Sequence, residues 1–473
     1  MRQEIKFGTG GWRAVIGEDF TRQNVRLVGA GLAQLAKKAH KDQMPIVIGY
    51  DRRFLSERAA RWMAEVLAQA GIPVLFLHRS APTPLIDFTV MSRQLFYGVE
   101  ITASHNPAEY NGVKLIVEEG RDAPLEVTQQ LEALIAGSPE DVPFLPFQKA
   151  VEEGLVEYIE NPFNQFLDSI MSIIDMDALR RRGLRVVFDT MHGSGTYPLS
   201  VIFHTARCTI DIINSNKDAY FGGRMPAPTE TGLVLLQDSV VRGGYDLGIA
   251  MDGDGDRLGI VDSNGRLITA NEILCLLYYY LVAYKGWKGP AVRNLATTHM
   301  LDRIAASFGE KCYEVPVGFK HISSKIDQVD AVLGGESSGG LTVRGHIHGK
   351  DSIYAASLFA EMLCVVGKSA SQIMDELTEK YGSFVMLEDN LPFDPSYKTQ
   401  IQHILFEEKA IPAFETSVER VSLEDGCKVY FQNGDFVICR FSGTEPLLRI
   451  FGESSTAQQA RKYIEAFRQF LHI

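Results

Sequence analysis

Residues 245–261 read Tyr245-Asp246-Leu247-Gly248-Ile249-Ala250-Met251, then Asp252-Gly253-Asp254-Gly255-Asp256-Arg257, then Leu258-Gly259-Ile260-Val261. Two apolar, strand-like runs enclose three carboxylates separated by single glycines. Two carboxylates ~4 Å apart repel by about 1 kcal/mol in water and by about 4 kcal/mol at an effective dielectric of ~20. Three together are tolerable only if they are fully solvated or bound to a cation. A solvated acidic turn is the plainer alternative, but the flanking runs are candidate core strands. Glycine lets the backbone turn all three side chains onto one centre. Oxygen ligands at this density fit Mg²⁺, which keeps positions open for water or a phosphate oxygen. An EF-hand loop is excluded, because its sixth position should be Gly and is Arg257, and its twelfth should be Glu and is Ser263.

Working outward, strands and helices alternate over most of the chain. A helix is expected at 23–38, a strand at 46–50, a helix at 56–70 and a strand at 74–77. The pattern restarts at 184–188 and at 258–261. Such alternation is the mark of parallel-sheet α/β units. Val47-Ile48-Gly49-Tyr50-Asp51 and Val186-Val187-Phe188-Asp189 end alike, which hints at duplicated units. Residues 137–146 are rich in Pro, Gly and acid and read as a linker. Past about Ser371 the character changes to a helix, short strands (418–423, 428–431, 436–441, 448–451) and a final helix, an expected separate α+β domain.

The 473 residues allow two to four domains, and the composition is ordinarily globular. Lys and Arg number 47 against 59 Asp and Glu, a net charge of −12, which argues against capture of nucleic acid or anionic membrane. A phosphate site must therefore be a local basic pocket. The six cysteines are scattered without a C-x-x-C pair, which favours reduced thiols over a disulfide frame or a zinc site. Met1-Arg2-Gln3-Glu4 has no apolar leader, and 273–284 is too short to span a bilayer and reads as a core helix. The expected location is the cytoplasm.

Three further loops carry chemistry. Thr102-Ala103-Ser104-His105-Asn106-Pro107 follows the apolar run 97–101, and Pro107 biases Asn106 away from helix. Ser104 is expected on an exposed loop at a strand's C-terminal end, where open α/β sheets bind ligands. Tyr110-Asn111-Gly112-Val113-Lys114 reads as a turn with Lys114 just inside the next strand. Gly334-Gly335-Glu336-Ser337-Ser338-Gly339-Gly340 matches G-x-S-x-G, but that elbow needs a following helix and 341–344 looks like a strand. Its acid and hydroxyls suit hydrogen bonding to sugar hydroxyls, a hairpin turn being the plainer alternative. Arg440-Phe441-Ser442-Gly443-Thr444-Glu445-Pro446, with Arg449, offers hydroxyls, backbone N–H groups and two guanidiniums as a cup for a phosphate dianion.

Together these four loops, in this order, resemble the α-D-phosphohexomutase superfamily, which includes phosphoglucomutase, phosphomannomutase and phosphoglucosamine mutase. The resemblance runs from Phe7-Gly8-Thr9-Gly10-Gly11-Trp12-Arg13 to Arg449. It implies three similar α/β domains with mixed sheets and a C-terminal α+β domain of TATA-binding-protein-like type, around a central cleft. The expected spans are 1–148, 149–266, 267–370 and 371–473. It implies that Ser104 carries the phosphoryl group and completes an Mg²⁺ site with Asp252, Asp254 and Asp256. Arg13, His105, Lys114 and Arg257 would surround the transferring phosphate, Lys114 as a candidate acid/base. Glu336 and Ser338 would grip sugar hydroxyls, and Arg440, Ser442, Gly443, Thr444 and Arg449 the non-reacting phosphate. Val317-Gly318-Phe319-Lys320 looks like the glucose-preferring branch and adds Lys320 to the substrate-binding set.

The implied activity interconverts hexose 1- and 6-phosphates through a 1,6-bisphosphate, with glucose 1,6-bisphosphate as activator and intermediate, in a monomer or homodimer. Phosphomannomutase and phosphoglucosamine mutase are the alternative sugar readings, and a non-catalytic sugar-phosphate sensor is the alternative of a different class. Glu336-Ser337-Ser338-Gly339 departs from the Glu-Glu-Ser-Gly or Glu-Met-Ser-Gly of many relatives, and Gly340 stands where some have His. His346 or His348 is then the expected substitute for that acid/base group.

Overall fold

The computed structural model describes residues 4–8, 10–441 and 447–472. The chain divides into two compact units: residues 1–270 with 338–371, and residues 271–337 with 372–473.

The first unit holds two mixed sheets. The first is built from Trp12–Val15 (β1), Ile46–Tyr50 (β2), Val74–Phe76 (β3), Tyr97–Ile101 (β4), Tyr110–Val117 (β5), Arg121–Asp122 (β6) and Val156–Tyr158 (β7). Their order is β1-β5-β4-β2-β3-β7, with β6 on β5. β2, β3, β4 and β7 run parallel, while β5 returns antiparallel to both β4 and β1. The second sheet uses Arg185–Asp189 (β8), Thr209–Ile213 (β9), Leu247–Met251 (β10), Leu258–Asp262 (β11) and Leu267–Ile268 (β12), in the order β12-β11-β10-β8-β9. Here β10 is parallel to β8 and antiparallel to β11. The succession β5-β4-β2-β3 is thus repeated as β11-β10-β8-β9, and the echoed Asp51 and Asp189 fall at the ends of the matching strands β2 and β8.

Helix Arg22–Lys38 (α1) packs on helix Ser56–Gln69 (α2), which with Thr83–Ser92 (α3) packs on the first sheet. Thr21 caps α1 by accepting from Asn24 N at 3.2 Å, and Lys37 and Lys38 face its C-terminal dipole. Every residue of β2 and β4 is buried, as expected of strands covered on both faces.

The second unit takes three parallel strands from its first segment, Ala291–Asn294 (β13), Cys312–Val315 (β14) and Leu333–Gly335 (β15). The next strand, Leu341–Val343 (β16), belongs to the first unit. The second unit resumes with Val385–Pro392 (β17), Val418–Ser422 (β18), Cys427–Phe431 (β19), Phe436–Phe441 (β20) and Leu447–Ser454 (β21), an antiparallel sheet in the order β17-β21-β20-β19-β18. Helix Ala457–Leu471 covers it through Tyr463, Ile464 and Phe467. Leu295 and Ala296 pack against Phe436, Ile438 and Phe451, joining this sheet to the β13 layer.

Three expectations change. Residues 110–114 are not a turn: they open β5, whose Asn111 is buried and bonded to Phe54 O and Ser56 Oγ at 2.9 Å each. The stretch 137–146 does not close the first α/β layer at 148, because β7 lies beyond it and pairs with β3. Strand β17 adds a fifth strand to the four expected in the C-terminal domain. Its charged and amide side chains are partly exposed, so hydropathy alone hides a strand that pairs with β21 over eight residues. Among the described residues no single helix is long and apolar enough to cross a membrane.

Candidate active site

The acidic loop joins β10 to β11. Asp252, Asp254 and Asp256 are all buried, and their ligand oxygens lie within 4.8 Å of one another. Two glycines make this possible. Gly255 has φ +71°, and a Cβ on Gly253 would stand 2.8 Å from Ser104 O. Asp252 Oδ1 accepts from Asp256 N and Arg257 N at 3.0 Å, which fixes the turn. Thr83 Oγ1 donates to Asp254 Oδ2 at 2.7 Å.

Lys114 Nζ lies 2.7 Å from both Asp254 Oδ2 and Asp256 Oδ2, and Lys350 Nζ 2.7 Å from Asp256 Oδ2. Burial works against the Lys114 charge, but the two aspartates outweigh it and hold its pKa well above the usual value. Burial also acts on Asp256, yet Lys114, Lys350 and Arg257 keep its carboxyl well below the usual range. Burial, then the charges of Asp254 and Asp256, pushes Asp252 well up. Asp254 Oδ1 and Asp256 Oδ1 are buried and meet no hydrogen-bond donor. Two orphaned carboxylate oxygens in a three-carboxylate cluster suit a hard divalent cation, so the residues fit Mg²⁺.

Ser104 follows β4 in the loop to β5, the counterpart in strand succession of the acidic loop after β10. It is not exposed, as the sequence suggested, but only 1% accessible, with a left-handed φ of +51°. Its Oγ donates to Asp252 Oδ2 at 2.9 Å and lies 3.3 Å from His105 Nδ1. Burial, then Arg257 and Arg13, drives the His105 pKa well down and leaves a neutral ring. Arg13 Nη1 donates to Asn106 Oδ1 at 2.6 Å, and Arg257 Nε is buried without an acceptor. Ser104 therefore has an anionic floor and a cationic rim, the polarity that a metal-bound phosphoryl group requires.

Beyond the glycine-rich stretch, Lys350 reaches the carboxylates. A Cβ on Gly340 would stand 2.4 Å from Lys350 Cδ, so the glycine at this position makes room for the lysine stem. His346 is instead a core residue: its Nε2 is 2.6 Å from Asp351 Oδ2, and its ring packs among Phe88, Phe166 and Tyr354. His348 lies 4.0 Å from Glu119. Nothing in the local pattern marked Lys350, because its role depends on a ten-residue return to Gly340. Ser338 is exposed in the first unit, and the neighbouring Gly339 O accepts from Leu258 N at 3.1 Å.

The second unit carries the remaining candidates. Glu336 Oε1 accepts from Asn294 Nδ2 at 3.0 Å and from Gly318 N at 3.2 Å. Lys320 sits in the first turn of helix Phe319–Val329. Arg440 and Arg449 are directly opposed on β20 and β21. Like charges so placed repel, and each has an acid nearby: Asp425 is 3.3 Å from Arg440, and Glu388 is 3.7 Å from Arg449. Asp425 also accepts from Val317 N at 2.8 Å, tying the 317–320 stretch to Arg440. The sequence did not single out Asn294 or Asp425. Ser442, Gly443 and Thr444 lie outside the described residues.

Four family models match in chain order: the phosphoglucomutase/phosphomannomutase alpha/beta/alpha domain I over residues 4–141, domain II over 164–265, domain III over 269–381 and the C-terminal domain over 404–470. A phosphoglucomutase/phosphomannomutase of Thermococcus kodakarensis is 30% identical, over 97% of this chain and 96% of its own. A phosphoglucosamine/phosphogalactosamine mutase of Sulfurisphaera tokodaii is 26% identical, over 98% of each chain. A crystal structure from Thermus thermophilus, described as a candidate phosphomannomutase, superposes with a TM-score of 0.87 at 26% identity over 100% of both chains. The chain belongs to the phosphoglucomutase/phosphomannomutase family and is a phosphohexomutase.

Proposed function

We propose that this phosphohexomutase interconverts hexose 1- and 6-phosphates through a phosphoserine at Ser104, and that mannose or glucosamine phosphates turn over at least as well as glucose phosphates. The observation that carries the mechanism is the placement of Ser104 Oγ 2.9 Å from Asp252, within a buried three-aspartate cluster that retains unpartnered oxygens. The sugar reading rests on the relatives' names, which include mannose, glucosamine and galactosamine beside glucose. The glucose preference drawn from residues 317–320 has no support beyond that stretch.

Asp252, Asp254, Asp256 and a phosphoserine oxygen would hold Mg²⁺, which supplies charge neutralisation to the transferring phosphoryl group. Arg13 and Arg257 would steady its equatorial oxygens, in a transfer whose loose transition state asks mainly for positioning and charge. The P–O bond to Ser104 breaks as one forms to the free sugar hydroxyl oxygen, which gives up its proton while Ser104 Oγ takes one up. The resulting bisphosphate turns over, and its other phosphoryl group returns to Ser104. Lys114 remains the acid/base candidate. Glu336, Ser338 and Lys320 are proposed to bind the sugar, and Arg440, Ser442, Gly443, Thr444 and Arg449 the phosphate that does not react.

Initial rates with glucose, mannose and glucosamine 1-phosphates, each with Mg²⁺ and the matching 1,6-bisphosphate, test both parts. Turnover of all three is expected, with kcat/KM for mannose or glucosamine phosphate matching or exceeding that for glucose. A preference for glucose of about tenfold or more, within the ~1–3 kcal/mol that one hydroxyl contributes, would overturn the sugar reading alone. No mutase activity, and no chain heavier by one phosphate in the intact mass, would favour the sensor.

A further inference from the structure

Arg53 lies just beyond the end of β2, 2% exposed, and its guanidinium is turned inward rather than towards solvent. Nη2 donates to Ser104 O at 2.6 Å and Asn106 O at 2.5 Å, and Nη1 to Pro107 O at 2.8 Å and Tyr110 O at 3.1 Å. Three carbonyls of the eight-residue loop 102–109 and that of Tyr110, the first residue of β5, therefore converge on a single side chain. Nε faces Asp51 Oδ2 at 3.3 Å, and the guanidinium carbon lies 4.8 Å from the Phe221 ring centroid.

The Asp51 side closes the circuit. Ser104 N donates to Thr102 Oγ1 at 2.8 Å, and Thr102 Oγ1 donates to Asp51 Oδ2 at 2.7 Å. Ser56 Oγ and Arg53 N bond to the other oxygen, Asp51 Oδ1, at 2.6 and 2.9 Å. Ser104 is thus held at its N–H through Thr102 and at its C=O directly by Arg53. A non-glycine residue at φ +51° persists only where its surroundings over-determine it.

We propose that Arg53, with Asp51, is the positioning residue that locks the phosphoryl-carrying loop. It fixes Ser104 in its left-handed conformation so that Oγ meets the aspartate cluster in both half-reactions. This rests on the assignment of Ser104 as the phosphoryl carrier. Lysine carries the same charge with three donors on one nitrogen, so it cannot reproduce the planar fork that meets four carbonyls. An error of about 1 Å in a reacting group costs about 10²-fold in rate.

Arg53→Lys should lower kcat by about 10²-fold and leave KM for the sugar phosphate within about threefold, because the substrate contacts are untouched. Thr102→Val, which cuts the other tie, should show the same split. Hydrogen exchange of the peptide covering residues 102–112 should accelerate in both variants, and methylguanidinium should restore part of the turnover of Arg53→Ala. Exchange and kcat unchanged in both variants, with wild-type mutase activity present, would overturn the positioning role alone. A loosened loop in the variants of a wild-type protein that shows no mutase activity would uphold the clamp and overturn the reading of Ser104. A loss confined to KM would also overturn the clamp.

Discussion

Ser104 shows how far a residue's type and its setting can diverge. The family resemblance makes it the candidate phosphoryl carrier, but its burial, its strained backbone and its bond to Asp252 come from tertiary contacts, with Arg53 51 residues away and with Asp252 148 residues away. Ser104→Ala keeps the Cβ and therefore the backbone strain, and it leaves a buried carboxylate oxygen short of a donor. The expected cost is about 1–3 kcal/mol of stability, together with loss of the phosphoserine by intact mass and of turnover. Activity within about tenfold of wild type would remove Ser104 as the carrier. The aspartate cluster makes a second prediction. A cation at 100 times its Kd stabilises the folded state by about 2.7 kcal/mol, so Mg²⁺ should raise Tm and EDTA should abolish turnover. Asp254→Asn should blunt the Mg²⁺-dependent rise in Tm, whereas a wild-type rate indifferent to EDTA would sink the metal assignment.

At the scale of elements, the opposed arginines on β20 and β21 are placed by register and not by sequence proximity. Arg449→Ala should raise KM for the monophosphate by roughly 10–150-fold with little change in kcat, the worth of a charge-assisted bond made in ground and transition states alike. Steady-state kinetics decide this, and unchanged KM and kcat would dismiss the loop as a phosphate binder. Beside the apolar contacts of Leu295 and Ala296, the union of the β13 layer with the C-terminal sheet uses Glu314. Arg293 Nη1 donates to it at 2.6 Å and Lys428 Nζ at 2.7 Å, and Tyr430 completes the cluster. Burial raises its pKa, but His299, Arg293 and Lys428 outweigh burial and hold the folded carboxyl well below 4.5. Because the folded value is depressed, the stabilisation is full above about pH 4.5 and is lost as pH falls through the folded value. Glu314→Gln should cost about 3–5 kcal/mol at pH 7, and urea unfolding should show the gap to wild type narrowing below about pH 4.5. A gap independent of pH would refute the electrostatic account.

Over the whole molecule, the six thiols are reduced, four of them buried and Cys312 and Cys364 partly exposed. Reductant should leave Tm unchanged, and a thiol reagent should react quickly with no more than these two before denaturation; a reductant-sensitive Tm would reveal a disulfide. The sequence by itself determined the family, the α/β class of most of the chain and the three-carboxylate loop. Those features rest on local matters: alternating apolar runs, glycine spacing and the repulsion of three adjacent carboxylates. Even the echo of Asp51 and Asp189 pointed rightly to a duplicated strand order. Tertiary structure alone decided that β5 begins at Tyr110, that β7 rejoins the first sheet, that Ser104 is buried, and that Lys350 reaches Asp256 while His346 sits in an aromatic core. Each of these depends on partners distant in sequence: a strand's pairing, a side chain's burial and a lysine's reach are properties of the surroundings that the chain assembles, and no window of residues contains them.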